Sequence, residues 1–315
     1  VSRLRWAIAP LFLLLGCAQP GPYTAMETLQ FEAIAAPEGV RYATVGAHRV
    51  AYWDQGTGPL VVLVHGLGEH AGYWTQTVQA LAKTHRVIAL DLLGYGRSDK
   101  PATGYGMRAQ AQLILGLLDA VAPAVPATLV GHSMGGQISL RLALGAPERI
   151  KHLVLLAPAG IERFTPGEGA WLKRVSTPAL FKSRTEQQLR AHFMRNVFHR
   201  WGPEAEHHLQ ERVRLRGAAE FDAYLRAVVG GIHGMVDEPV ADALSTLEVP
   251  STVVFGDRDG LIPNAVLHGG TVAEIATLAK DIPGADIRVW PEVGHMIQLE
   301  APEETWAIIR RVAGD

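Results

Sequence analysis

Residues 127–144, ATLVGHSMGGQISLRLAL, constrain the fold more than any other stretch of this 315-residue chain. The short apolar run ATLVG reads as a strand buried on both faces, and QISLRLAL as the helix that follows it. Between them, Gly131, Ser133 and Gly135 form a G-x-S-x-G, with the serine on a very short strand-to-helix turn. A turn that sharp brings strand and helix close together, so the residues beside the serine must be small. Gly131, Gly135 and Gly136 meet that need. The unit belongs in a parallel α/β sheet, and it makes Ser133 the candidate nucleophile.

The rest of the chain supports that sheet. LVVLV (60–64), RVIAL (86–90), HLVLLA (152–157) and STVVFG (251–256) are further short buried-strand runs. In MRAQAQLILGLLDAV, Ile114, Leu117, Leu118 and Val121 recur at helical spacing and give one apolar stripe to cover the sheet. RYATV and RVAYWD flank Gly46 and predict an antiparallel hairpin at one sheet edge. ADIRVW predicts the last strand, and PEETWAIIRRV the last helix, with Pro302 and two glutamates in its first turn. The alternation stops over 161–247, which carries amphipathic helical patterns such as EQQLRAHFMRNVF and AEFDAYLRAVV. Such an insertion after a strand's C-terminal end lies where open α/β sheets bind ligands, so it is expected to act as a helical lid.

A serine hydroxyl needs a base to take its proton, and the base needs an orienting carboxylate. Downstream, VVFGDRDGLIP puts Asp257 and Asp259 just past a strand, and VWPEVGHMIQLEAPEE puts His295 between the last strand and the last helix. Either aspartate could serve on position alone. Over residues 40–315 the chain resembles the α/β-hydrolase superfamily, in the order serine, acid, histidine. The resemblance picks Asp259, the aspartate followed by an apolar pair and proline, over Asp257, and matches the family histidine to His295 of Gly294-His295. LVVLVHGLGEHAGYW resembles the family's H-G-x-G loop, which implies that the backbone N–H groups of Leu67 and Met134 form the oxyanion hole. His65 is expected to tie that loop by hydrogen bonds, and Asp91, Gly94 and Gly96 of DLLGYGRSDKP to shape a structural turn.

The resemblance implies an α/β-hydrolase fold with a mostly parallel central sheet, flanking helices and an inserted helical lid. It implies a serine hydrolase that cleaves carboxylic esters through an acyl-enzyme on Ser133, of carboxylesterase or lipase type and without a cofactor. Family members that open epoxides or remove halide use an aspartate nucleophile, whereas position 133 is serine. C–C bond hydrolysis of vinylogous diketones and cofactor-free perhydrolysis keep the same three residues and stay open. A non-catalytic, lipid-anchored binding protein would be expected to have lost part of the triad or the oxyanion loop. The loop HGLGEH and turn GHSMGG are together similar to monoacylglycerol lipases, which does not name the substrate.

Other features exclude more than they propose. Net charge is −2 with 29 basic and 31 acidic residues interspersed, so no nucleic-acid surface is expected. His192, His199, His207, His208 and His233 fall in the insertion without a metal-ligand spacing and are expected to be solvated or packed. Phe181, Phe193, Phe198, Trp201, Tyr224 and Met235 could line an acyl pocket or pack in the insertion's own core, and the sequence does not choose.

The single cysteine, Cys17, cannot form an intrachain disulfide. It follows a basic start and the apolar run Ala7–Leu15, the layout of an export signal and too short to span a bilayer. Leu14-Leu15-Gly16-Cys17 resembles the lipobox of bacterial lipoproteins. That implies a signal peptide over 1–16, lipidation of Cys17, and a membrane partner reached through a lipid anchor, with ordinary secretory cleavage and a retained buried anchor helix as the alternatives. The expected address is extracytoplasmic, with the outer membrane mildly favoured. A tether over 17–37 is expected next, then a hydrolase core over 38–160 and 248–315 interrupted by the lid at 161–247.

Overall fold

The apolar runs expected as buried strands pair in parallel at the centre of one sheet. In the computed structural model, which describes residues 26–264, 266–267 and 269–314, the strands are β1 (Arg41–Val45), β2 (His48–Gln55), β3 (Leu60–Val64), β4 (Arg86–Leu90), β5 (Ala127–His132), β6 (Ile150–Leu156), β7 (Ser251–Gly256) and β8 (Asp286–Trp290). Their order is β1-β2-β4-β3-β5-β6-β7-β8. β1 and β2 form the antiparallel hairpin, β2 pairs antiparallel with β4, and every later pairing is parallel. Each residue of β3, β5 and β7 is buried, as strands covered on both faces require.

In chain order the helices are α1 (Thr75–Leu81), α2 (Met107–Val121) and α3 (Met134–Gly145). Next, between β6 and β7, come α4 (Pro166–Val175), α5 (Pro178–Ser183), α6 (Glu186–His192), α7 (Pro203–Arg214) and α8 (Phe221–Asp237). The last are α9 (Val272–Leu278), α10 (Ile297–Glu300) and α11 (Pro302–Ala313). One face of the sheet packs Val61, Leu63 and Val87 against Val78 and Leu81 of α1 and Ile308 and Ile309 of α11. The other packs Val62, Val64 and Ile88 against Ile114, Leu117 and Leu118 of α2 and Ile138 of α3. The periodic stripe of α2 is therefore its buried face.

The helices between β6 and β7 form the inserted helical region. Several are short and depend on their ends. Thr165 with Glu168 and Thr185 with Gln188 make reciprocal capping boxes on α4 and α6, each satisfying amide donors that a short helix would leave bare. The pattern EQQLRAHFMRNVF does not run as one α-helix: α6 ends at His192 and Phe193–Val197 continue as a π-helical turn.

The chain packs before Glu38, which corrects the expected tether over 17–37 in its later part. Leu29, Phe31 and Ile34 are buried, and Phe31 meets the Tyr224 ring at a centroid distance of 5.3 Å. Arg97 donates to the carbonyls of Glu32 and Ile34, and the Leu29 amide donates to the Arg214 carbonyl at 3.3 Å. Sparse apolar residues in a polar, unpatterned segment fill a groove between core and insertion, which composition alone conceals. Cys17 and the expected signal peptide lie outside the described residues.

Candidate active site

Parallel strands bring their C-terminal ends to one edge of the sheet, and the sequence-derived site residues all follow such ends. Ser133 follows β5 with φ 53° and ψ −119°, a backbone conformation that costs an L-residue roughly 1–3 kcal/mol. The surroundings hold it there. A Cβ on Gly131 would lie 2.5 Å from the Gly135 carbonyl and the Ser139 hydroxyl, and one on Gly135 would lie 2.5 Å from the carbonyls of Val64 and His65. Only glycine permits this approach of β5, α3 and β3. Ser133 N donates to the Leu156 carbonyl at 3.0 Å, so the turn is also tied to β6.

Of the two aspartates after β7, only Asp259 reaches the histidine. Its Oδ2 lies 2.8 Å from His295 Nδ1, while Oδ1 accepts the amides of Leu261 at 2.8 Å and Ile262 at 3.0 Å. Asp257 instead accepts the Glu292 amide at 2.7 Å. With a carboxylate on Nδ1, the imidazole carries its proton there and keeps the Nε2 lone pair free. Burial pulls the His295 pKa down, but the Asp259 carboxylate, its hydrogen bond and Glu69 outweigh that, and the net direction is up. Ser133 and His295 open on the same cavity, without a direct hydrogen bond between their side chains.

The amides of Leu67 and Met134 have no protein acceptor among the described residues. The Leu67 amide is aimed by its own peptide plane, because N–H and C=O of a trans peptide point opposite ways. The carbonyl of that plane, Gly66 O, is held by His65 Nδ1 at 2.8 Å and by the Glu69 amide at 3.3 Å. His65 Nε2 in turn accepts the Leu92 amide at 3.0 Å, which fixes the tautomer that donates from Nδ1. His65 thus ties the loop, and burial lowers its pKa and keeps it neutral. Asp91 does similar work, accepting the amides of Ala71 and Arg97 at 2.7 Å each.

The cavity has a volume of about 920 Å³ and lies between the sheet edge and the insertion. Phe181, Phe193, Tyr224 and Met235 line it, but Phe193 also packs with Phe198 in a cluster against which Trp201 lies, and Tyr224 belongs to the main core, so the two uses the sequence left open overlap. His192 also lines it, and burial, then Arg184, Arg212 and His295, lower its pKa to about 4. His208 is buried against Tyr73, ring centroids 3.7 Å apart, with its pKa lowered to about 3 by burial. Among the described residues no group of three His, Cys, Asp or Glu side chains is arranged to hold a metal ion.

A family model described as alpha/beta hydrolase fold matches residues 59–302, from β3 to the start of α11. The chain belongs to the α/β-hydrolase family. It is 32% identical over 265 residues to the dihydrolipoyllysine-residue acetyltransferase component of the acetoin cleaving system of Pseudomonas putida, spanning 83% of this chain and 66%, about two thirds, of that protein. It is 31% identical to the 2-hydroxymuconate semialdehyde hydrolase of Pseudomonas sp. strain CF600, over 84% of this chain and 90% of that one. A solved structure described as an N-acyl homoserine lactone degrading enzyme is similar at 28% identity and TM-score 0.65, covering 86% of this chain and 99% of the other.

In this α/β hydrolase, two buried acid–histidine pairs escaped the sequence reading. Glu69 Oε1 lies 2.9 Å from His132 Nδ1, and its Oε2 accepts the Gly66 amide at 2.9 Å. His132 Nε2 reaches the His295 carbonyl at 3.0 Å, so both of its ring nitrogens face acceptors. Burial would raise the Glu69 pKa, but His132 and the Gly66 amide bring it down to about 2. The signal lay in the motifs themselves, since His132 is the first variable position of G-x-S-x-G and Glu69 stands in HGLGEH. The second pair, His70 Nε2 and Glu211 Oε1 at 2.5 Å, joins the loop after β3 to α7. Beside it Arg212 and the Tyr224 hydroxyl both donate to the Gly68 carbonyl, the latter at 2.9 Å. No local pattern could have paired residues so far apart.

Proposed function

We propose that the chain is a serine hydrolase of carboxylic esters, with Ser133 as nucleophile, His295 as general base and acid, and Asp259 as its orienting carboxylate. Ser133 Oγ attacks the ester carbonyl while His295 Nε2 takes the hydroxyl proton. The amides of Leu67 and Met134 take the oxyanion, each donor contributing about 3 kcal/mol to the transition state. Met134 opens α3, so the helix dipole adds to the field there. His295 then protonates the leaving alcohol, and water regenerates the serine by the same route. The observation that carries this reading is the Asp259–His295 hydrogen bond facing one cavity with Ser133 and two unpaired amides. The mostly apolar cavity wall, with the helical insertion as a lid over it, suits an acyl chain.

A second reading, C–C bond hydrolysis of a vinylogous diketone, is favoured by the relative named 2-hydroxymuconate semialdehyde hydrolase. A panel of 4-nitrophenyl esters graded by acyl length, run beside a vinylogous diketone, tests both. Turnover of esters with acyl-enzyme accumulation supports the first, and cleavage of the diketone alone supports the second. The lipobox-like stretch supports an extracytoplasmic, lipid-anchored address through Cys17. Cys17→Ser should release the protein from the membrane fraction, and retention of the variant there would contradict that address.

A further inference from the structure

One of the charges along the cavity wall is unanswered. Arg163 sits 3.6 Å from Asp242, Glu162 accepts the Asn264 amide, and Glu69 pairs with His132. Three further guanidinium groups line the cavity, those of Arg184, Arg212 and Arg216. Arg212 is committed to the Gly68 carbonyl and the Tyr224 ring and lies beside Glu211. Arg216 donates to the Lys182 carbonyl at 3.4 Å.

Arg184 is different. Its guanidinium lies 4.7 Å from the Phe181 ring centroid, and it has no hydrogen-bond acceptor or carboxylate among the described residues. It is half-buried, and the charge acting on it is Arg212, of the same sign. Burial and that neighbour both lower its pKa. A guanidinium withdrawn from water beside a like charge is unfavourable until an anion completes it. Its planar fork matches the two oxygens of a carboxylate, which it can hold bidentately. His192, its pKa lowered by burial and then by Arg184, Arg212 and His295, adds no further positive charge to the group.

We propose that Arg184, backed by Arg212, forms an anion subsite, and that the preferred substrates are esters carrying a carboxylate remote from the scissile carbonyl. This rests on the ester-hydrolase reading for the substrate, but not for the binding of the anion. The carboxylate can belong to the acyl or the alcohol half, so both arms are needed. One arm compares mono-4-nitrophenyl esters of C4 to C8 dicarboxylic acids with uncharged isosteres, such as the glutarate ester with 4-nitrophenyl 5-methylhexanoate. The other compares aryl acetates with and without a ring carboxylate.

The full chain should favour the charged member of at least one arm by about 10- to 100-fold in kcat/KM, the range of one charge-assisted hydrogen-bonded contact. In Arg184→Met that ratio should fall to near one, and Arg184→Lys should keep part of it. A ratio at or below one in both arms, or a ratio unchanged in Arg184→Met, overturns the proposal. Adipate binding to Ser133→Ala, read as a rise in Tm that hexanoate does not give and that Ser133→Ala/Arg184→Lys gives in reduced form, decides the subsite without turnover. Absence of any ester turnover would sink the catalytic reading, while absence of the adipate shift would sink this one.

Discussion

At the sheet edge, Asp259 holds His295 at 2.8 Å between residues 36 apart; at the insertion, Glu211 holds His70 at 2.5 Å between residues 141 apart. Both are buried carboxylate–histidine pairs, yet their supports differ. Asp259 accepts two amides from its own loop, and its imidazole partner faces a cavity. Glu211 projects from α7, and its pairing is what joins that helix to the loop after β3. The edge is held by backbone bonds between neighbouring turns, which fix atoms finely enough for chemistry. The insertion is held by apolar packing of α8 on the core together with side-chain charges and helix caps, which position a wall. Losing a group at the edge should therefore cost rate, and losing one at the insertion should cost stability.

The largest separation should come from Ser133→Ala, which should cut ester turnover by about 10⁶-fold while leaving the unfolding transition close to that of the parent. Asp259→Asn should cost about 10⁴-fold in kcat because the imidazole tautomer is no longer enforced. Asp257→Asn, whose parent carboxylate holds the Glu292 amide and lies 3.7 Å from Arg258 but does not reach His295, should stay within a fewfold. Steady-state kinetics on one ester measure all three, and equal losses at the two aspartates would break the assignment.

Glu211→Gln tests the other region. Removing one member of a buried ion pair costs about 3 kcal/mol, read by denaturant unfolding. The pH dependence has a defined sign. The Glu211 pKa is lowered and that of His70 raised, despite burial acting the other way on each. The Glu211 contribution is present above the ordinary carboxylate value of 4.5 and is lost as pH falls through its depressed folded pKa. The His70 contribution is present below the ordinary value of 6.5 and is lost as pH rises through its raised folded pKa. The stability difference between parent and variant should therefore be largest near pH 5 to 6 and shrink toward pH 9. A difference independent of pH would contradict the pairing.

Among replacements of the groups that act on His295, Glu69→Gln should have the smallest effect, and it sharpens the boundary between the regions. Glu69 is one of the groups that raise the His295 pKa, so its neutral replacement should move the acidic limb of kcat/KM to lower pH. The rate loss should be about fivefold, equivalent to about 1 kcal/mol. KM should change little.

The same contrast explains what the sequence could and could not disclose. LVVLV, RVIAL and STVVFG are strands over the runs expected, since a strand buried on both faces leaves an unbroken apolar signature. Ser133 was legible because its turn demands the glycines at 131 and 135, whereas Asp259 and His295 were picked by the family resemblance, position alone leaving Asp257 open. Glu69 and His132 stand in the two motifs but 63 residues apart, and Arg212 and Gly68 are 144 apart, so no local period says that either pair meets. The packing of Phe31 and Ile34 was hidden for a related reason: two apolar side chains in a polar stretch give no period to read.

The central claim is that the strained turn at Ser133 presents an activated nucleophile. Labelling the folded full chain with a fluorophosphonate, followed by peptide mapping, tests it most directly. One adduct should form at Ser133, more slowly in Asp259→Asn and not in Ser133→Ala. An unlabelled folded protein, or an adduct on another residue, would contradict it.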